Sequence, residues 1–160
     1  MKNYILLLFI AVLGFGSCIK GDNTDPYADA KAQLAKDTVV IRKFITDNKI
    51  PAIKDASGLF YQIIQPGSGN VTYTTNTQIE AVYTGRLLNG TTFDTSVGKA
   101  NLKIPLGSVI TGWQIGVPLI QKGGKIRLII PSGYGYGANA TGSIPANSIL
   151  DFDIELINVQ

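Results

Sequence analysis

Histidine is absent from the 160 residues and cysteine occurs once. These absences exclude histidine-based acid–base catalysis, metal sites built on His and Cys, and any disulfide within the chain. Basic charge is sparse as well: the formal net charge is +3, lysines are scattered, and no aromatic residues interleave with basic ones. Nucleic acid is therefore not an expected partner. What the chain does have is glycine and proline, 18 and 7 of them, in a sequence 45% hydrophobic and 16% charged. That is the composition of one folded core with many turns and short strands.

The amino terminus reads as targeting sequence. Met1-Lys-Asn precedes an apolar run over residues 4–15, shorter than the ~20 residues a spanning helix needs, and Gly16 and Ser17 follow. Residues 1–17 are thus expected to be a cleaved signal peptide, with an uncleaved anchor as the alternative. Phe15-Gly-Ser-Cys18 resembles a bacterial lipoprotein box, with Phe15 in place of its usual leucine, and Cys18 is the expected lipidation site. Residues 18–25 read as a lipidated tether, and the implied location is the bacterial cell envelope, held to a membrane by lipid.

Asp25-Pro26 is a helix start signal, an acidic cap followed by a proline suited to the first helical position. Tyr27, Ala30, Leu34, Ile41 and Phe44 recur at helical spacing, with Lys31, Lys36, Asp37 and Lys43 between them, so an amphipathic helix is expected within residues 26–50. Its apolar stripe can pack on the neighbouring body, form a dimer seam or grip unfolded clients, and the sequence leaves all three open.

Residues 58–160 are strand-rich. A strand is expected from Gly58 to the Pro66-Gly67 stop and another from Thr77 to Leu88, ending at the Asn89-Gly90 turn. Leu102, Ile104 and Leu106 alternate in a third, and Ile126, Leu128 and Ile130 in a fourth. In the last, Leu150, Phe152, Ile154 and Leu156 alternate with Asp151, Asp153 and Glu155, which reads as one face to the core and one to water. Between the third and fourth lies Gly107-Ser-Val-Ile-Thr-Gly-Trp-Gln-Ile-Gly116, a glycine-bounded segment read as a short helix closed at Pro118. It holds the only tryptophan, with Val109 and Ile110 just before it. Nothing in it is a nucleophile, a metal ligand or a phosphate cradle, so chemistry there must work by shape, desolvation and hydrogen bonding. The expected class is α+β: an antiparallel half-barrel wrapped on one short helix and preceded by the amino-terminal helix.

In order, the body carries Val82-Tyr-Thr-Gly85, Gly90-Thr-Thr-Phe-Asp-Thr-Ser96, Leu106-Gly-Ser-Val-Ile-Thr-Gly-Trp113, Ile130-Pro-Ser132, Tyr134-Gly-Tyr-Gly-Ala138, Ile144-Pro145 and Phe152-Asp-Ile-Glu-Leu156. This series resembles the FK506-binding-protein (FKBP) family of peptidyl-prolyl cis-trans isomerases over nearly everything after Gly58. The resemblance implies that Trp113 floors a proline pocket walled by Tyr83, Phe93, Leu102, Val109, Ile110 and Phe152. It implies that the Ile110 N–H and the Tyr136 hydroxyl hold substrate carbonyls, that Asp94 sits at the rim bonded to Tyr83, and that Ile144 closes one side. Tyr134 is expected to be structural. Proline-containing polypeptides are the implied substrates and FK506- or rapamycin-type macrolides the implied inhibitors, with no cofactor and no metal.

Three departures from the family pattern stand out. Leu102 replaces the usual phenylalanine, the loop after Tyr136 is short and lacks a histidine, and the segment between Asp94 and Leu102 lacks an arginine that Lys99 partly replaces. They bear on inhibitor affinity and sequence preference more than on catalysis. A non-catalytic holdase or assembly factor built on the same fold is the alternative function. For the aromatic cluster taken alone, a plain core role is the default.

Overall fold

The computed structural model describes residues 27–160. The expected signal peptide, the tether with Cys18 and the Asp25-Pro26 start all lie outside the described residues. Helix α1 spans Ala28–Asp47. Its first half is built largely from alanine, lysine, glutamine and leucine, which lose little on becoming helical, whereas Thr38-Val-Val-Ile41 is a β-branched run that needs tertiary support. The helix ends where Asn48 donates to the Phe44 carbonyl from both its backbone and its side chain, at 3.0 and 2.9 Å. Lys49 then turns the chain at φ 54°, before Pro51. Among the described residues no helix is long and apolar enough to cross a membrane.

Seven strands follow: β1 Ile53–Lys54, β2 Phe60–Gln65, β3 Gln78–Leu87, β4 Thr92–Thr95, β5 Leu102–Pro105, β6 Lys125–Ile130 and β7 Leu150–Val159. They pair antiparallel in the order β1-β2-β6-β7-β3-β4, and β5 pairs with the first half of β3 while β4 pairs with the second. The two longest strands, β3 and β7, lie side by side in the middle of this order. β4 lies outside the strands that the sequence predicts, because four residues with a single large apolar side chain carry no measurable alternation.

One face of the sheet is covered by helix α2, Thr111–Gly116. Its two glycines make that approach possible: a methyl group at Gly112 would stand 2.5 Å from Ile130 Cγ2, and one at Gly116 2.5 Å from Leu128 Cδ2. The backbone of α2 therefore lies directly on β6, and Trp113, Val117 and Ile120 pack with Ile79, Ala81, Ile126, Leu128, Phe152, Ile154 and Leu156 in the main core.

Helix α1 serves the opposite side through a second cluster, in which Ile41, Phe60, Ile129 and Ile149 are buried with Phe44 and Ile45 against them. Full burial of each such side chain contributes roughly 1.5–3 kcal/mol. Of the expected stripe, Leu34, Ile41 and Phe44 pack on the chain's own body, Leu34 toward Gly58, whereas Tyr27 is 68% exposed and Ala30 is exposed as well. Val39, 70% exposed, lies outside it.

Two expectations about polar faces are corrected. Asp151 was assigned to water, yet it is 4% exposed. Arg127 meets it in two parallel bonds, Nε to Oδ1 at 2.8 Å and Nη2 to Oδ2 at 2.7 Å, because α1 and its loop shield that end of the outer face. Bonding to Asp151 is the largest influence on the Arg127 guanidinium, raising its pKa above the usual value. Asp37, placed among the polar residues of α1, is 3% exposed and bonded to Ser132.

Candidate functional site

Tyr83 lies on β3, and the motif that forms β4 grips its backbone. The Tyr83 N–H donates to Ser96 Oγ at 3.0 Å, and its carbonyl accepts from Thr95 Oγ1 at 2.9 Å and from Ser96 N at 3.1 Å. Gly85 pairs with Asp94 across the two strands. A Cβ at Gly85 would strike Phe152 and Phe93, each at 2.6 Å, so the glycine is what lets those rings meet across β3. They do so edge to face, 5.5 Å between centroids.

The floor is Trp113, 3% exposed. Tyr83 and Phe152 stand against it at 5.3 and 5.4 Å, with interplanar angles of 84° and 90°, the edge-to-face arrangement that the quadrupoles of aromatic rings favour. The indole Nε1 is buried with no hydrogen-bond partner among the described residues. Ile110 is the cap of α2: its carbonyl takes bonds from Trp113 N at 2.9 Å and Gln114 N at 3.2 Å, which leaves its own N–H outside the helical ladder. Gln114 Nε2 donates back to the Val109 carbonyl at 2.7 Å and steadies the entry to the helix.

Together Tyr83, Phe93, Asp94, Leu102, Ser108, Val109, Ile110, Trp113, Tyr136 and Phe152 line one cavity of about 280 Å³. Its lining contains every pocket residue expected from the sequence except Ile144. That side chain is 6% exposed and belongs to the main core, and its backbone exchanges two 2.9 Å bonds with Thr141. Ser108 and Gln114 were not foreseen; only their adjacency to Val109 and Trp113 hinted at them. Lys99 turns its ammonium to the Thr95 carbonyl at 3.0 Å. Tyr134 donates to the Ser57 carbonyl at 2.7 Å and anchors its loop.

The polar groups gather at the rim. The Tyr83 hydroxyl donates to Asp94 Oδ2 at 2.5 Å, and Tyr136 is 38% exposed. Burial, then the hydrogen bond to Asp94, then the charge of Asp94 and lastly Tyr136 push the Tyr83 phenol well above its ordinary range. It therefore stays a neutral donor. Among the described residues no three His, Cys, Asp or Glu side chains gather as metal ligands would. An aromatic-lined cup with neutral donors at its lip can bind a compact apolar ring and orient the carbonyls beside it.

A larger cavity of about 640 Å³ opens between the first turns of α1 and residues 131–138. It contains none of the expected pocket residues, so the smaller cavity is the candidate.

Residues 69–157 match the family model of FKBP-type peptidyl-prolyl cis-trans isomerase. The chain is 44% identical over 131 residues to the FKBP-type peptidyl-prolyl cis-trans isomerase FkpA of Buchnera aphidicola subsp. Schizaphis graminum, covering 81% of this chain and 51% of that protein. Among solved structures, FkpA from Escherichia coli superposes with a TM-score of 0.70 at 36% identity, over 82% of this chain and 61% of that one. A peptidyl-prolyl cis-trans isomerase from Pseudomonas syringae pv. tomato gives a TM-score of 0.66 at 34% identity, over 82% and 96%. The chain spans about half the length of the curated relatives it matches.

Proposed function

The chain belongs to the FKBP-type peptidyl-prolyl cis-trans isomerases, and from that membership we propose that it accelerates rotation about Xaa-Pro bonds in exported polypeptides, using the cavity floored by Trp113. The observation that carries the reading is the lining itself, an aromatic cup with Asp94, Tyr83 and Tyr136 at its lip. Resonance gives the Xaa-Pro amide a rotation barrier of roughly 18–20 kcal/mol, and no bond has to break for it to turn.

Twisting the amide removes its resonance and part of its charge separation. An apolar pocket therefore disfavours the planar, more dipolar amide more than the twisted one, which is differential binding of the transition state. Trp113 receives the proline ring, with Tyr83, Phe93, Leu102, Val109, Ile110 and Phe152 as walls. The Ile110 N–H and the Tyr136 hydroxyl hold the flanking carbonyls, and Asp94, bonded to Tyr83, faces the turning amide. Each tenfold gain in rate needs about 1.4 kcal/mol, within reach of a few such contacts. Uncatalysed isomerisation takes tens to hundreds of seconds and can limit folding.

The same proposal places the protein at a bacterial membrane through acyl chains on Cys18, supported by the Phe15-Gly-Ser-Cys18 junction and the short apolar run before it. FK506- and rapamycin-type macrolides are its expected inhibitors, because they present a compact apolar ring to the same cup.

The test is the cis-to-trans rate of Xaa-Pro peptides with purified residues 19–160, beside Tyr136→Phe and Trp113→Ala. Acceleration that falls in both variants supports the reading. A folded protein without acceleration overturns it. For the anchor, mass spectrometry of the mature amino-terminal peptide should show acylated Cys18, and Cys18→Ala should leave the membrane fraction.

A further inference from the structure

Asp37 lies on α1, outside the pocket, yet its carboxylate is committed to the segment that carries Tyr136. Its Oδ2 accepts from Ser132 N at 2.7 Å and from Ser132 Oγ at 2.6 Å, and its Oδ1 from Gln33 Nε2 at 2.7 Å. Ser132 is wholly buried. The Ser132 carbonyl in turn accepts from Gly135 N at 3.0 Å and Gly137 N at 2.9 Å, the two amides on either side of Tyr136. Gly137 stands at φ 66°, and its carbonyl takes the Asn147 N–H at 2.8 Å. The amides on either side of Tyr136 thus share one carbonyl, and the residue owning that carbonyl is fixed by a carboxylate 95 positions earlier in the chain.

Taking the isomerase reading as its premise, we infer that Asp37 is a positioning residue for the reaction. By fixing Ser132 it holds the Tyr136 hydroxyl where a substrate carbonyl must meet it, so the amino-terminal helix sets the efficiency of the pocket as well as the stability of the fold. The backbone bonds that hold the segment besides these are Asn147 N to the Gly137 carbonyl and Tyr134 N to the Pro131 carbonyl, at 2.8 and 2.9 Å. Residues 132–134 are a single 3₁₀ turn, no strand ladder follows, and Gly133, Gly135 and Gly137 give the released backbone wide conformational freedom. The Tyr134 hydroxyl on Ser57 fixes the turn from a second side but bears on the backbone before Tyr136. Without Asp37 a buried N–H and a buried hydroxyl lose their acceptor, and the turn must shift or admit water to restore one. A shift of the order of 1 Å at a group that orients substrate can cost as much as about a hundredfold in rate.

A double-mutant cycle on the full chain separates positioning from mere stability. Asp37→Ala, Tyr136→Phe and their combination are assayed on Xaa-Pro peptides, well below the lowest melting temperature of the set. Asp37→Ala should lower kcat/KM by roughly tenfold. In the Tyr136→Phe background the same substitution should change it by less than about twofold, while the melting temperature falls in both backgrounds. Asp37→Asn, which keeps an acceptor oxygen, should recover much of the loss. Equal losses in both backgrounds, or a lowered melting temperature with full activity, would assign Asp37 to stability alone.

If Asp37→Ala does not fold, Ser132→Ala removes only the hydroxyl bond. It should show a smaller loss that again disappears in Tyr136→Phe, and an additive loss overturns the inference. If the unmodified chain itself lacks isomerase activity, the premise fails separately. Positioning is then read from hydrogen exchange at the Gly135 and Gly137 amides. Faster exchange there in Asp37→Ala, with β7 amides unchanged, supports the clamp, and unchanged exchange refutes it.

Discussion

The Tyr83 hydroxyl donates to Asp94 Oδ2 at 2.5 Å across the β3–β4 pair, joining the one phenol that stands against the Trp113 floor to the one carboxylate in the cavity lining. Each residue orients the other, so the pair should behave as a unit. Tyr83→Phe and Asp94→Ala are each expected to lower kcat/KM by about tenfold, and the double variant to lose no more than about threefold beyond either. Peptide isomerisation kinetics on the four proteins decide it; fully multiplicative losses would show two independent contributions.

The same pair gives a pH dependence of stability. The folded Tyr83 pKa lies above its unfolded value, so its contribution is fully present below about pH 10, the unfolded tyrosine pKa. Above that pH the unfolded chain releases the proton while the folded chain keeps it. The unfolded state then binds fewer protons, and stability falls as pH rises until the folded phenol also ionises. Urea midpoints of the unaltered chain should therefore approach those of Tyr83→Phe between about pH 10 and 12. Parallel curves over that interval would mean the phenol is not protected by the fold.

Trp113 offers a contrast between packing and hydrogen bonding. Its Nε1 has no partner among the described residues, so replacing the indole by another aromatic ring sacrifices no bond there. Trp113→Phe should stay folded with a modest fall in both melting temperature and activity. Trp113→Ala removes the floor as well as core volume and should cost about 3–5 kcal/mol of stability, with a far larger loss of kcat/KM than Phe causes. Comparable activity in the two variants would argue against a ring-binding floor.

Leu102 pairs with Ala81 across β5 and β3 and lines the cavity. Leu102→Phe adds a flat apolar wall and should favour peptides with a large apolar residue before proline, by about three- to tenfold in kcat/KM relative to peptides with an acidic residue there. A substrate panel assayed before and after the substitution is the check. An unchanged preference would place specificity elsewhere on the rim.

The sequence by itself determined the strand alternation of β3 and β7, the helical spacing of α1, the glycine-bounded tryptophan segment and a chemistry without histidine. These are local properties: a repeat of two or 3.6 residues is written along a single element, and an ordered series of motifs survives without coordinates. Only the tertiary structure decided where polar side chains go once elements meet. Asp151 left the water face because Arg127, 24 residues away, and the cover of α1 met it there. Asp37 left the polar side of its helix because Ser132, 95 residues on, presents two donors to it. Ile144 went to the core and Ser108 to the cavity lining through contacts that only the folded chain brings together. Burial of a polar or borderline residue depends on a partner brought from far along the chain, and the free energy of that pairing has no periodic trace in the sequence.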